Sequence, residues 1–366
     1  MTVYVVDLES IATRYTCEWK THVPKLLEKA GHNVKIITGP DNIPSATTPG
    51  AFLNFGGTNI FKASQVEQMA RLFCSGSILA GDHFIFTDAW HPGIINLKYM
   101  SELLNIPVTT HGLWHAGSYD KNDFLGRLVG NKPWVRHAEK SFFHAFDYNY
   151  FATDFHIEMF YTNLLNDYPT ENPWFEEDLA RLREGTLTDK IVRTGWPMEY
   201  MQDILSPYKS IPKRDLILFP HRIAPEKQVE IFRDLKQQLP QYEFVVCQDQ
   251  QLTKKEYHTL LGQAKLVFSA NLQETLGISW YEGALVNAIP MVPDRLSYSE
   301  MAYDEFKYPS DWTESFDSYV EHKSQVCDRI VQYMENYNSF IPKLENQVRD
   351  LTEKFFSANV LLNNIK

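Results

Sequence analysis

The stretch Phe268-Ser-Ala-Asn-Leu-Gln-Glu274-Thr275-Leu276-Gly277-Ile-Ser-Trp-Tyr-Glu282-Gly-Ala-Leu-Val-Asn287-Ala-Ile-Pro290 decides how this chain is read. An apolar run closes at Phe268, a polar turn follows, apolar residues recur at helical spacing from Leu276 to Val286, and Pro290 opens a new β-branched run. The order is strand, turn, helix, strand. A helix starting near Thr275 places Glu282 about two turns beyond Glu274, so both carboxylates can face one side. The amides of Thr275, Leu276 and Gly277 would then be first-turn donors without intrahelical partners, an arrangement suited to a phosphate. Carboxylates on either side of a phosphate site suit sugar hydroxyls, which donate to charged acceptors.

The same alternation extends in both directions. In the first half, strands are expected at Val3–Val6, Val34–Ile37, Phe84–Thr87, Pro107–Thr110 and Asn149–Thr153. Helices separate them, such as Thr16–Ala30, closed by Gly31, and Ser64–Cys74, ending before Gly76. After a polar, proline-bearing stretch from Thr194 to Arg214, a second strand series follows at Leu216–Phe219, Glu243–Cys247, Leu266–Ser269 and Ile289–Val292. Its helices are Pro225–Leu239, Lys254–Gly262 and Leu276–Val286. The expected architecture is α/β with two Rossmann-like doubly wound domains, over 1–197 and 198–340, and a C-terminal helical stretch, 341–366, that could pack back on the first domain. Ligands of such sheets bind at the carboxyl ends of the strands, so the chemistry is sought in a cleft facing both.

Composition narrows the classes. At roughly 150 residues per domain, 366 residues suit about two domains, and a 44% hydrophobic content excludes a disordered or fibrous chain. Thirty-five basic against forty-six acidic residues leave a formal charge of −11, so a polyanion must meet a local patch rather than a bulk field. Cys17, Cys74, Cys247 and Cys327 have neither metal-ligand nor paired spacing, which fits free thiols in a reducing cytoplasm. The apolar run before Asp7 is too short for a signal segment, and no run is long enough to span a membrane. Neither G-x-G-x-x-G nor G-x-x-x-x-G-K-[ST] occurs, which removes the dinucleotide dehydrogenases and the P-loop enzymes.

Two further motifs complete the reading. Phe219-Pro220-His221-Arg222-Ile-Ala-Pro-Glu-Lys227 follows the first strand of the second series and sets two cations five apart, where helix N-termini disfavour them. Pro107-Val-Thr-Thr-His111-Gly112-Leu-Trp114-His115-Ala-Gly117-Ser118 closes a strand of the first series.

The spacing of Glu274 and Glu282, with the Arg222 and Lys227 pair in register, resembles retaining GT-B glycosyltransferases of the large group-1, family-4-like class. The resemblance implies that Glu274 contacts the donor sugar, Thr275 to Gly277 hold its diphosphate, and Glu282 holds the ribose. It further implies that His221, Arg222 and Lys227 clasp the diphosphate, the two cations supporting the leaving group, and that His111 is a strand-end histidine near the sugar, with His115 as its rival. Asn287 stands where that family has glycine. The loop after the first strand lacks the usual glycine pair, so acceptor-side contacts are expected from Thr13, Arg14, Trp114 and His115. No Asp-x-Asp sits at a nucleotide-binding strand end and no nucleophile lies beside a base, so neither a metal nor a covalent intermediate is expected. No cofactor is implied beyond the donor itself, a UDP-linked or similar nucleotide-diphosphate sugar.

A strand-end His111, Phe151-Ala-Thr-Asp-Phe155-His-Ile-Glu158-Met-Phe160, Pro220-His221-Arg222 and Pro290-Met-Val-Pro293-Asp-Arg-Leu296-Ser-Tyr298-Ser-Glu300 are similar to a narrower branch, the tRNA-queuosine mannosyltransferase type. The compact size is also similar to bacteriophage glycosyltransferases acting on hydroxymethylcytosine in DNA. DNA is the preferred acceptor, in a host cytoplasm. The alternatives are tRNA, a cell-surface saccharide, and a nucleotide-sugar-binding protein without turnover. Candidate polyanion contacts are Lys132, Trp134, Arg136, His137 and Lys140, and Arg181, Arg183, Lys190 and Arg193.

Overall fold

Short apolar runs of four to six residues are long enough for strands and too short for helices, and where both faces are covered by helices they need no polar alternation. The computed structural model realises this twice. It describes residues 1–11, 14–44, 46–47, 53–166 and 175–365, without the side chains of Phe175 and Arg183. Thr13 therefore lies outside the described residues.

The first unit comprises Met1–Pro197 together with Ala358–Lys366. Its strands are β1 (Thr2–Val6), β2 (Asn33–Ile37), β3 (His83–Phe86), β4 (Thr109–Leu113), β5 (Tyr148–Phe151) and β6 (Ile191–Arg193), all parallel, in the order β2-β1-β3-β4-β5-β6. Tyr4, Phe84, Phe86, Phe146, Phe151 and Phe160 lie in its buried core. Each such side chain contributes about 1.5–3 kcal/mol on burial.

The second unit, Met198–Ser357, holds β7 (Arg214–Phe219), β8 (Glu243–Val246), β9 (Ala264–Phe268), β10 (Ile289–Pro293) and β11 (Lys307–Tyr308), again parallel, in the order β11-β10-β9-β7-β8. The stretch 341–366 is not one element. The helix Tyr337–Lys354 buries Leu344 in the second core, whereas Ala358–Lys366 belongs to the first unit.

Local signals miss β6 and β11, three and two residues long, because neither carries enough apolar length to register as a period. The segment expected as one helix from Pro225 is divided. A 3-10 turn covers Pro225–Lys227, Gln228 takes a left-handed φ of 51°, and the helix proper runs Val229–Gln238. Lys227 thus lies on the turn that precedes the helix and not within it.

The helix Ile278–Leu285 carries Glu282 and lies close on β9. A Cβ at Gly283 would come within 2.6 Å of Val267 Cγ2, so only glycine permits that approach. Gly283→Val should destabilise the fold by about 1–3 kcal/mol through overpacking, read as a lower Tm. Val267→Ala in the same chain should restore part of the loss.

Candidate functional site

In the second sheet β7 is flanked by β8 and β9, so the order of connection reverses there. At such a switch point the loops leaving the two carboxyl ends diverge, opening a crevice for a ligand. The loop after β7 supplies His221 and Arg222 and leads into the Pro225–Lys227 turn, while the loop after β9 supplies residues 269–277. The two loops are stitched together. Leu272 N donates to Glu226 O at 2.8 Å, and Gln228 Nε2 donates to Ala270 O at 2.6 Å.

On this frame the charged side chains predicted from two distant motifs meet. Lys227, only 6% exposed, donates from Nζ to Gln273 O at 2.5 Å and lies 3.4 Å from Glu274 Oε2. Arg222 pairs through Nη2 with Glu226 Oε1 at 2.5 Å. Two cations and two carboxylates thus sit in matched pairs on the loops that follow β7 and β9. His221 is buried with Nδ1 3.3 Å from Ser279 Oγ. Burial, and then the charge of Lys227, hold its pKa well below the ordinary imidazole value, so the ring is neutral.

Two expectations about this segment need correction. The helix begins at Ile278 and not near Thr275, so the amides of Thr275, Leu276 and Gly277 belong to the loop rather than to a first turn. Gly277 takes φ 84° as the residue before the helix, and a Cβ there would collide with the Trp280 indole. The left-handed residue and the bulky indole together delay the helix. Glu282 is consequently its fifth residue, just over one turn in. Its Oε2 accepts from Tyr257 OH at 2.8 Å, and burial together with Glu282 raises the pKa of that phenol well above its ordinary range. Asn287, in the place of a family glycine, takes φ 64° and closes the helix in the left-handed region that asparagine tolerates.

In the first unit, His111 is not at a strand end. β4 runs on to Leu113, leaving His111 in its middle with no exposed surface. Nε2 is 2.9 Å from His83 Nδ1 and Nδ1 is 2.9 Å from Tyr150 OH, so both ring nitrogens are occupied inside the sheet. Burial, and then His83, push its pKa down to about 3. Trp114 is likewise a core residue, with Nε1 donating to Asn149 Oδ1 at 2.8 Å, and offers no acceptor contact. His115 is the residue beyond the strand end. Its Nε2 donates to Thr87 O at 2.6 Å, its Nδ1 lies 2.6 Å from Tyr15 OH, and its ring packs 4.1 Å from Trp196. Arg14 immediately precedes Tyr15, at the start of the helix Thr16–Lys29.

The first sheet has its own switch point, between β1 and β3. Asp7 follows β1 there, buried, accepting from Gln65 Nε2 at 3.1 Å, and burial pushes its pKa up to about 6. Asn271, Gln273, Glu226 and Tyr257 around the candidate site of the second unit, and separately Asp7 at the switch point of the first sheet, were not legible in the sequence, because no spacing rule marks a lone carboxylate, amide or phenol.

Among the described residues no group of three or more His, Cys, Asp or Glu could hold a metal ion, and no helix is long and apolar enough to cross a membrane.

No protein-family model matches the chain, and no curated protein matches it in sequence. Solved structures do resemble it. Sucrose-phosphate synthase from Thermosynechococcus elongatus superposes with a TM-score of 0.57 at 10% identity, over 100% of this chain and 97% of that one. The catalytic domain of Starch Synthase IV from Arabidopsis thaliana, bound to ADP and acarbose, gives 0.56 at 10% identity, over 99% and 97%. WaaG, a glycosyltransferase involved in lipopolysaccharide biosynthesis, gives 0.52 at 12% identity, over 96% and 99%. At such identities the likeness is one of fold. The chain has the GT-B architecture of two parallel-sheet domains.

The buried histidine makes acid stability testable. Because the folded pKa of His111 lies below the ordinary value of about 6.5, its neutral form supports the fold fully above that pH. The support is lost as pH falls toward 3. Tm should therefore drop between pH 7 and pH 4.5, and His111→Gln, which cannot titrate, should show a smaller drop across the same melts.

Proposed function

We propose that the protein is a retaining glycosyltransferase that binds a nucleotide-diphosphate sugar, UDP-linked or similar, at the β7–β9 switch point. The observation that supports this most directly is that Arg222, paired with Glu226, and Lys227, paired with Glu274, lie on the two loops that leave the β7–β9 switch point of a GT-B fold. The starch synthase of the same fold is bound to ADP and acarbose.

The pairing of charges suggests how binding proceeds. A diphosphate entering the crevice takes the place of Glu226 on Arg222 and of Glu274 on Lys227. The cations then face the oxygen on which negative charge grows as the C–O bond breaks. Glu274, released from Lys227, accepts from hydroxyls of the donor sugar, and Glu282 accepts from the ribose. The leaving phosphate receives the acceptor proton, so the new bond forms on the face the diphosphate vacates and configuration is retained. Cations and loop amides stabilise the leaving group in this scheme, which leaves no step for a metal ion.

For the acceptor we favour a hydroxymethylated base in DNA. Along residues 121–140, Lys121, Arg127, Lys132, Trp134 and His137 are exposed, whereas Asp123 and Glu139 are buried, giving a locally basic, aromatic face on an acidic chain. The decisive experiment incubates the protein with a panel of nucleotide sugars and hydroxymethylcytosine DNA, unmodified DNA or tRNA, with and without EDTA, followed by digestion to nucleosides and mass measurement. Sugar on hydroxymethylcytosine in EDTA is the expected result. Sugar on tRNA alone would replace the acceptor, activity restored only by Mg²⁺ or Mn²⁺ would overturn the metal-free scheme, and donor binding without any transfer would leave a binding protein.

Arg222→Ala or Lys227→Ala should weaken donor binding by about 1.5–3 kcal/mol, the worth of a hydrogen bond to a charged group, as read by titration calorimetry. The two glutamates should fail differently. Glu282→Gln touches a part of the donor remote from the reacting carbon and should mainly raise KM. Glu274→Gln touches the sugar itself, where a displacement of about 1 Å can cost on the order of 100-fold, and should mainly lower kcat.

A further inference from the structure

The stretch Pro290 to Glu300 takes no part in the scheme above, yet it grips the loop that carries Glu274. Arg295 donates to backbone carbonyls on three sides: Nε to Asn271 O at 2.7 Å, Nη2 to Ala270 O at 2.9 Å and Thr313 O at 3.1 Å, and Nη1 to Ser310 O at 2.8 Å. Tyr298, with no exposed surface, has its hydroxyl 3.0 Å from Ser269 Oγ and accepts from Asn271 Nδ2 at 2.7 Å. The same Nδ2 donates to Glu274 Oε2 at 3.3 Å. Tyr308 OH donates to Ser269 O at 2.7 Å, so the far end of the chain is fixed as well.

We propose that Tyr298, acting through Asn271, is a positioning residue that aims the Glu274 carboxylate at the donor sugar. This rests on the donor-sugar role given to Glu274 above. The carboxamide is planar and its two N–H bonds diverge at a fixed angle, so pinning one on the Tyr298 oxygen directs the other at Glu274. The reverse amide orientation would set Oδ1 against the carboxylate. In the orientation seen, Asn271 Oδ1 is buried and accepts no hydrogen bond, so the Nδ2 side alone holds the group in place. Lys227 attracts Glu274 by charge but is drawn away by the arriving diphosphate. The amide has no such competitor, and it keeps its hold on Oε2 when the ion pair is exchanged.

The test is a double-mutant cycle on Tyr298→Phe, Glu274→Gln and the two combined, with the rate of nucleoside diphosphate release measured on the donor that the panel identifies. Tyr298→Phe removes one hydroxyl and preserves the ring. It should lower kcat about tenfold, part of the cost of a displaced reacting contact, while donor KM stays within about twofold and the far-ultraviolet circular dichroism of the folded chain is unchanged. The combined variant should be no slower than Glu274→Gln alone, because both changes act through one carboxylate. Tyr298→Phe at wild-type kcat, or losses that multiply in the combined variant, would overturn the relay while leaving the donor site standing. Glu274→Gln at wild-type kcat would overturn the donor-sugar contact itself and the relay with it.

Discussion

Lys227 is a primary ammonium with almost no access to water, and everything around it follows from the need to satisfy that charge. An unpaired buried cation is so costly that it must find oxygen partners. It finds them on the next loop, in the carbonyl of Gln273 and the carboxylate of Glu274. The requirement ties the loop after β7 to the loop after β9 across the point where strand order reverses. The backbone bond from Leu272 to Glu226 and the Gln228 contacts reinforce the same join.

A consequence is that both cations of the candidate site have a carboxylate partner before any ligand arrives. Arg222 has Glu226 and Lys227 has Glu274, so the cations are held in place without a diphosphate. In the proposed scheme an anion that enters exchanges partners rather than bringing bare charges together. In a region of low dielectric such exchange avoids the desolvation that an unpaired site would impose on each visit. It also couples two events, since the carboxylate freed from Lys227 is the one placed beside the incoming sugar in the proposed scheme.

The first unit shows how burial overrides the appearance of a motif. His111 was expected at the site because the resemblance implied a strand-end histidine near the sugar. The run continues through Gly112 and Leu113, and the ring stacks between the strands, 5.1 Å from His83 and 5.1 Å from Tyr148. Its partners lie 28 and 39 residues away, on β3 and β5, and no local pattern announces them. His115, two residues beyond the strand, is only half-buried, with its ring nitrogens on Thr87 O and Tyr15 OH.

What the sequence determined by itself is the alternation of short apolar runs with helical periods, and therefore two doubly wound parallel sheets, because strand and helix formation answer to spacing within a few residues. The same local logic put Arg222, Glu274 and Glu282 on loops and a helix at the carboxyl side of β7 and β9, where they are found, whereas Lys227, expected inside a helix, lies on the turn before it. Tertiary structure decided the rest. The helix start moved from Thr275 to Ile278 because Gly277 is left-handed and packs against Trp280. Trp114 became core and Tyr257 became the partner of Glu282 because neighbouring elements closed over them. Asn271 and Tyr298, 27 residues apart, met only when β10 was laid beside β9. Burial and hydrogen-bond partnership are properties of residues brought together by the fold, and no spacing along the chain encodes them.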